Sequence, residues 1–248
     1  MEPISAAAAR ETRLCPKPFA QLQEQKMSEE IWVSSVGSNY LLGDKLGIRE
    51  KHYGQDWAPP KFEHDAPTKE QAFNSNRHAR GEKLRREEFV EAAFVFDQKR
   101  WPRAKDFFAV DGFYAVKGRL AAILKDFDLG EGELVEFPIY EADKTTRLPG
   151  PFYFLNFGSQ KDCFIADETK GSRLIGRNKK TGVELWGAAI EPMDGDIAVA
   201  SSALEGADLW IDPKLNGKIF MSGRLHDAIE AAKLKIDFRF SKARILQR

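Results

Sequence analysis

The clearest pattern of apolar and polar positions lies in the second half of the chain, and it occurs twice. Phe113–Val116 and Lys218–Met221 are short apolar runs, each leading into Gly-Arg-Leu, as Gly118-Arg119-Leu120 and Gly223-Arg224-Leu225. After the first, Leu120, Ile123, Leu124 and Phe127 fall at i, i+3, i+4 and i+7; after the second, Leu225, Ala228, Ile229 and Ala232 take the same places. That spacing puts four apolar side chains on one face of a helix. An apolar run follows each helix, Glu133–Tyr140 and Ile236–Leu246. The pattern predicts two strand–helix–strand units about 105 residues apart. Two unrelated amphipathic helices would give the same signal, because Gly-Arg-Leu is a short match.

Between the copies, Phe152–Phe157, Asp162–Ala166, Leu174–Ile175, Val183–Trp186 and Asp208–Ile211 fit short strands. The Gly and Asn of the Gly176–Gly182 segment suit a turn. The expected fold class is α+β, with helices packed on a mainly antiparallel or mixed sheet. The first half is less regular. Residues 1–26 read as a flexible appendage, and Met27 opens a segment that reads like a fresh start. Ile31–Val36 is a strand candidate. Residues 37–80 are broken every few positions by Gly or Pro and are expected to be irregular. Lys83–Phe96 has a charged head and an apolar tail, which fits a helix or a helix followed by a strand. The expected organisation is 1–26, an irregular 27–103, and an α+β domain over 104–248.

Composition narrows the class. The 248 residues are 42% hydrophobic with 18 Phe, enough to build a core, so global disorder is excluded. No apolar run approaches the roughly 20 residues of a membrane span, and Ala6–Ala9 is too short for a secretory signal. Cys15 and Cys163 are expected to remain reduced thiols in a cytoplasmic protein. Lys and Arg number 38, as do Asp and Glu, so no global field draws the chain to nucleic acid or acidic lipid.

The charges are nonetheless segregated along the chain. From Thr181 to Pro213 there are seven acids and no Lys or Arg. Five Lys or Arg and no acid occupy 169–183, and nine Lys or Arg with three acids occupy 214–248. One consequence is an acidic face for a basic protein partner, with Glu191, Asp194, Asp196, Glu205, Asp208 and Asp212 as its candidate residues. The alternative is that folding interleaves these segments and the charges cancel.

Catalytic and metal motifs are wanting. His52, His64, His78 and His226 lack helical metal spacing, and there is no Cys-x-x-Cys. His226-Asp227 reads as a solvated helix start, and Asp194-Gly-Asp196 as a turn. Gly130-Glu-Gly132 links a helix to a strand, the reverse of a dinucleotide loop. An enzyme built on Asp194, Asp196 and His226 is one competing possibility. A nucleic-acid module using Arg77–Arg86 and Arg173–Lys180 is another, although nearby acids and the lack of interleaved aromatics speak against it.

The run Asp208-Leu-Trp-Ile-Asp-Pro through Ile219-Phe-Met-Ser-Gly-Arg-Leu-His-Asp-Ala-Ile-Glu-Ala-Ala-Lys-Leu resembles the end of the eleventh immunity-protein family of bacterial polymorphic toxin systems. Phe152-Tyr-Phe-Leu-Asn-Phe, Asp162-Cys-Phe-Ile-Ala-Asp and the unit from Asp106 to Pro138 are similar to that family's earlier strands. The resemblance covers about residues 104–246. It implies a protein that binds a cognate protein toxin in the producing cell's cytoplasm and blocks it by occlusion. No catalytic residue, metal or cofactor is implied.

Overall fold

The computed structural model describes residues 29–38, 43–60, 68–178 and 181–247. Its elements in chain order are β1 (Ile31–Ser34), α1 (Gly43–Leu46), β2 (Ile48–Lys51), α2 (Lys69–Ala79), β3 (Ala92–Val95), β4 (Phe107–Val110), β5 (Phe113–Lys117), α3 (Gly118–Lys125), β6 (Glu133–Phe137), β7 (Ile139–Tyr140) and β8 (Phe152–Asn156). They continue with β9 (Arg173–Arg177), β10 (Glu184–Gly187), β11 (Ala198–Ala200), β12 (Leu209–Trp210), β13 (Ile219–Ser222), α4 (Gly223–Ala231), β14 (Phe240–Lys242) and β15 (Arg244–Leu246). The fold class is α+β.

Both strand–helix–strand units form, and each is larger than its sequence signal. One four-stranded sheet has the order β4-β5-β8-β6 and the other β12-β13-β1-β14. Every neighbouring pair is antiparallel. The strands flanking each helix therefore run parallel to one another with a visiting strand between them. In the first unit the visitor is β8, which comes later in the chain; in the second it is β1, from far upstream. The two sheets thus share one architecture with different connections.

An aspartate heads the hairpin of each unit. Asp106 accepts the Arg119 and Leu120 amides at 2.8 and 3.2 Å, so it satisfies donors left free at the start of α3. Gly118 sits at φ +56°, and a Cβ there would fall 2.8 Å from the Asp106 oxygens, so the turn requires glycine. In the second unit Ser222 caps α4 by accepting the Leu225 amide, and its hydroxyl donates to Asp208 at 2.6 Å. The helices pack head to tail. The Arg119 side chain donates to the Ala232 carbonyl just past α4 at 3.2 Å, and the Arg224 guanidinium lies 5.7 Å from the Phe127 ring just past α3. A cation beside a helix C-terminus is favoured by its unpaired carbonyls.

Each of the two four-stranded sheets has an apolar core against both faces. Leu120, Leu124, Tyr153 and Leu155 share a central core with Leu209, Met221, Leu225 and Ile229. Phe113, Ala115, Phe152 and Phe154 face an outer core with Phe89 and Phe137. Ile31, Val33, Trp210 and Phe220 face a third core with Cys163 and Val199. Along β8, side chains alternate between two cores instead of between core and water, which explains an uninterrupted apolar run.

Four expectations need correction. Residues 37–80 are not irregular throughout: β2 pairs with β3, and α2 is an 11-residue helix. α2 starts with a capping box between Thr68 and Gln71, which a polar sequence hides from an apolar-period search. Lys83–Phe96 forms no α-helix. Arg86 donates to the Val90 and Glu91 carbonyls, a short turn covers Arg86–Glu88, and the apolar tail becomes β3. Asp162–Ala166 makes only one bridge, Phe164 to Val199. Ile236–Leu246 splits into β14, paired with β1, and β15, paired in parallel with β11. The expected appendage 1–26 and Met27 lie outside the described residues. Within 29–103, β1 occupies an interior position in the β12–β14 sheet, and Leu84, Phe89 and Val95 belong to the first outer core.

Candidate interaction surface

The acidic 181–213 stretch folds into contact with the basic segments on either side of it. Arg177 pairs with Glu184 at 2.6 Å, Lys170 with Asp196 at 3.5 Å, Arg239 with Glu191 at 2.8 Å and Arg224 with Asp208. The interleaved alternative is therefore the one realised for these four acids. Asp208 and Asp212 are 2% and 0% exposed and do not belong to a surface. Asp208 accepts from Ser222, Arg224 and the Asp128 amide. Asp212 accepts the Cys163, Phe164 and Lys214 amides at 2.8, 2.6 and 2.9 Å, and burial pushes its carboxyl pKa up against those bonds. Glu191, Asp194 and Glu205 are exposed, and Asp196 is half-buried.

What stands out on the surface is apolar. Ile190 and Met193 are 66% and 64% exposed in the loop after β10, on either side of Glu191 and Pro192. Leu174 and Ile175, 53% and 52% exposed, lie on β9, which pairs with β10. A Cβ on Gly187 would meet the Ile175 side chain at 3.0 Å, so the isoleucine lies over the end of β10. The Lys170 amide donates to the Asp196 carbonyl at 2.9 Å, which joins the segment entering β9 to the far end of the loop. Large apolar side chains framed by charges are the composition of a protein-binding patch.

The loop is held firmly from behind. Lys218 is 3% exposed, and its ammonium donates to the Ile190 carbonyl at 2.8 Å and the Ser35 hydroxyl at 2.6 Å. Burial lowers its pKa to about 8. The Lys242 amide donates to the Asp194 carboxylate, the Gly195 amide to the Lys242 carbonyl, and the Met193 amide to the Asp196 carboxylate. Ile190 and Met193 are thus displayed by a braced backbone, which lowers the ordering cost of binding. Sequence reasoning missed both. Their signal was a pair of large apolar residues in a Pro- and Gly-containing loop of otherwise acidic character.

Asp194, Asp196, His226 and Arg77 are engaged in contacts within the fold, and Lys179 and Lys180 of the basic 173–180 segment lie outside the described residues. Asp194 and Asp196 take up the loop contacts above. His226 is buried in α4, stacked on Trp32 at 3.7 Å and 2°, with Phe240 edge-on at 4.8 Å; it is not a solvated helix start. Among the described residues no three His, Cys, Asp or Glu converge as a metal site. In the basic 77–86 stretch, Arg77 pairs with Glu82 and Glu88 at 2.7 and 2.6 Å, and His78 is wholly buried. Cys163 is a buried free thiol whose pKa burial pushes up to about 12, which makes it unreactive. No described helix is long and apolar enough to cross a membrane.

These features define an α+β protein of two split strand–helix–strand units that presents a braced apolar loop. The chain matches the immunity protein family (Imm11) over residues 47–243, and it belongs to that family. The match begins well before residue 104, so it takes in β2, α2 and β3 as well. No curated protein matches the chain.

Proposed function

We propose that this immunity protein binds a cognate bacterial toxin in the cytoplasm of the cell that makes both and neutralises it by covering its active surface. Family membership is the observation that carries the reading. The braced loop at Ile190 and Met193, with Ile175 over the end of β10 that leads into it, is the face offered to the toxin. Apolar side chains at the centre of such a patch supply most of the binding energy, and the surrounding charges set register and encounter rate. Glu191, Asp194, Asp196 and Glu205 act in this reading as rim charges. Neutralisation needs no catalytic group or cofactor, only a face large enough to block the toxin.

The test is co-expression with the toxic C-terminal domain of a large secreted protein encoded beside this gene. The immunity protein should restore growth and co-purify with that domain. Cells that die despite a well-expressed, folded protein would overturn the reading.

A further inference from the structure

A trough of about 470 Å³ runs along α3, away from the braced loop in sequence and built from different elements. Gly118, Ala121 and Ala122 form its floor, and Trp101 with Leu148–Pro151 forms the opposite wall. Lys117 and Lys125, at the two ends of α3, also line it. The volume is within the range of ligand sites, and its lining runs from one end of α3 to the other, which suits a chain segment better than a compact molecule.

Its chemistry is one-sided. No Asp or Glu lines it. Asp106 lies 3.9 Å from the Lys117 ammonium, but its carboxylate also receives the first amides of α3. The Lys125 ammonium donates to the Tyr153 hydroxyl at 2.8 Å and sits 4.4 Å from that ring, with no carboxylate partner among the described residues. Pro149 and Pro151 have no N–H, so the wall cannot pair with an incoming strand as a sheet edge does. Recognition falls to the two ammonium groups and to apolar contact between them.

From this geometry we infer that the trough binds an extended acidic peptide segment with an apolar residue flanked by two carboxylates. Seven steps of helical rise from Gly118 to Lys125, with extended Lys117 just before them, separate the lysines by about 13 Å along the chain direction. Four residues of extended chain span about 13 Å, so the matching acids lie four positions apart. That the segment belongs to the toxin rests on the proposed function; the site itself does not.

The experiment uses the full chain and two fluorescein-labelled, end-capped peptides, Asp-Ala-Leu-Ala-Asp and Lys-Ala-Leu-Ala-Lys, titrated by fluorescence anisotropy at low salt. The acidic peptide should bind saturably and the basic one should not. Lys125→Glu should weaken binding about fivefold, since reversing one exposed ion pair costs on the order of 1 kcal/mol. Ala122→Trp, at an exposed floor position, should abolish binding while leaving the thermal melt unchanged. Absence of acidic-peptide binding, equal binding of the basic peptide, or undiminished binding to folded Ala122→Trp overturns the inference. None of these arms contains a toxin. Their failure leaves the proposed function standing, and a failed protection assay with intact peptide binding leaves the trough standing.

Discussion

Arg224 closes on Asp208 with two donors, Nε at 2.6 Å and Nη2 beside it, and joins the start of α4 to the head of its own hairpin. The carboxylate is buried while the arginine side chain is 55% exposed. Ser222 and the Asp128 amide fill the remaining acceptor sites, and the Asp208 amide donates to the Asp128 carbonyl. This cluster therefore ties the second unit to the chain leaving the first helix.

Removing the acid leaves four donors, two of them on Arg224, without their acceptor. Asp208→Ala should destabilise the protein by about 1–3 kcal/mol for each buried donor left unpaired. Arg224→Ala should cost less, because Ser222 and Asp128 still serve the carboxylate. Urea denaturation of both single variants and the double variant would measure this. Additive effects would show that the two residues are not coupled.

His78 should make the fold sensitive to acid. It is fully buried among Phe89, Phe113, Tyr114 and Phe157, and its Nε2 accepts the Tyr114 amide at 2.9 Å. Burial lowers its pKa to about 3 from an ordinary 6.5. The folded imidazole stays neutral while the unfolded one takes a proton below pH 6.5. Stability from this group is complete above pH 6.5 and falls toward pH 3, by up to about 1.4 kcal/mol per unit. Between pH 7 and 5 the wild type should lose about 2 kcal/mol more than His78→Phe, measured by denaturant titration at both pH values. Parallel profiles would show that His78 does not titrate this way.

The braced loop should matter for binding and little for folding. Ile190→Asp and Met193→Asp each change a side chain that is mostly in water, so stability should stay within about 0.5 kcal/mol. Affinity for the toxin domain should fall by about 2 kcal/mol or more per site, close to thirtyfold, if these side chains anchor the interface. Titration calorimetry and a growth-protection assay would read this. Unchanged affinity in both variants would place the interface elsewhere.

Lys218 should act on the loop from beneath. Lys218→Met keeps the length of the side chain and leaves the Ile190 carbonyl and Ser35 hydroxyl without their donor, at a cost of about 1–3 kcal/mol. Amide exchange at Glu191 and Met193 should rise more than exchange in β13 itself. Uniform change across both segments would mean that the lysine braces the whole sheet instead of the loop.

Some of this was readable along the chain because its cause is local. The positions of Leu120, Ile123, Leu124 and Phe127 depend only on helical spacing, and so did the placing of α3 and α4. β8 was legible because both its faces are apolar. α2 was not, since Thr68, Gln71 and a polar body give no apolar period. Asp208 was legible as an acid, but its burial depends on Ser222, Arg224 and the Asp128 amide arriving from elsewhere.

By itself the sequence determined the repeated strand–helix–strand pattern, the α+β class and the family resemblance, all of which follow from side chains close together along the chain. Only the tertiary structure decided that β1 and β8 enter the two sheets as visiting strands, because pairing across about 190 residues for β1, and about 20 to 40 for β8, leaves no local periodicity. It also decided the fate of the charges. Sequence order groups acids in 181–213 and bases on either side, while the fold sets Lys170, Arg177, Arg224 and Arg239 against them. Attraction between opposite charges depends on distance in space, so a stretch that is acidic in sequence ends as a largely paired surface whose exposed feature is Ile190 and Met193.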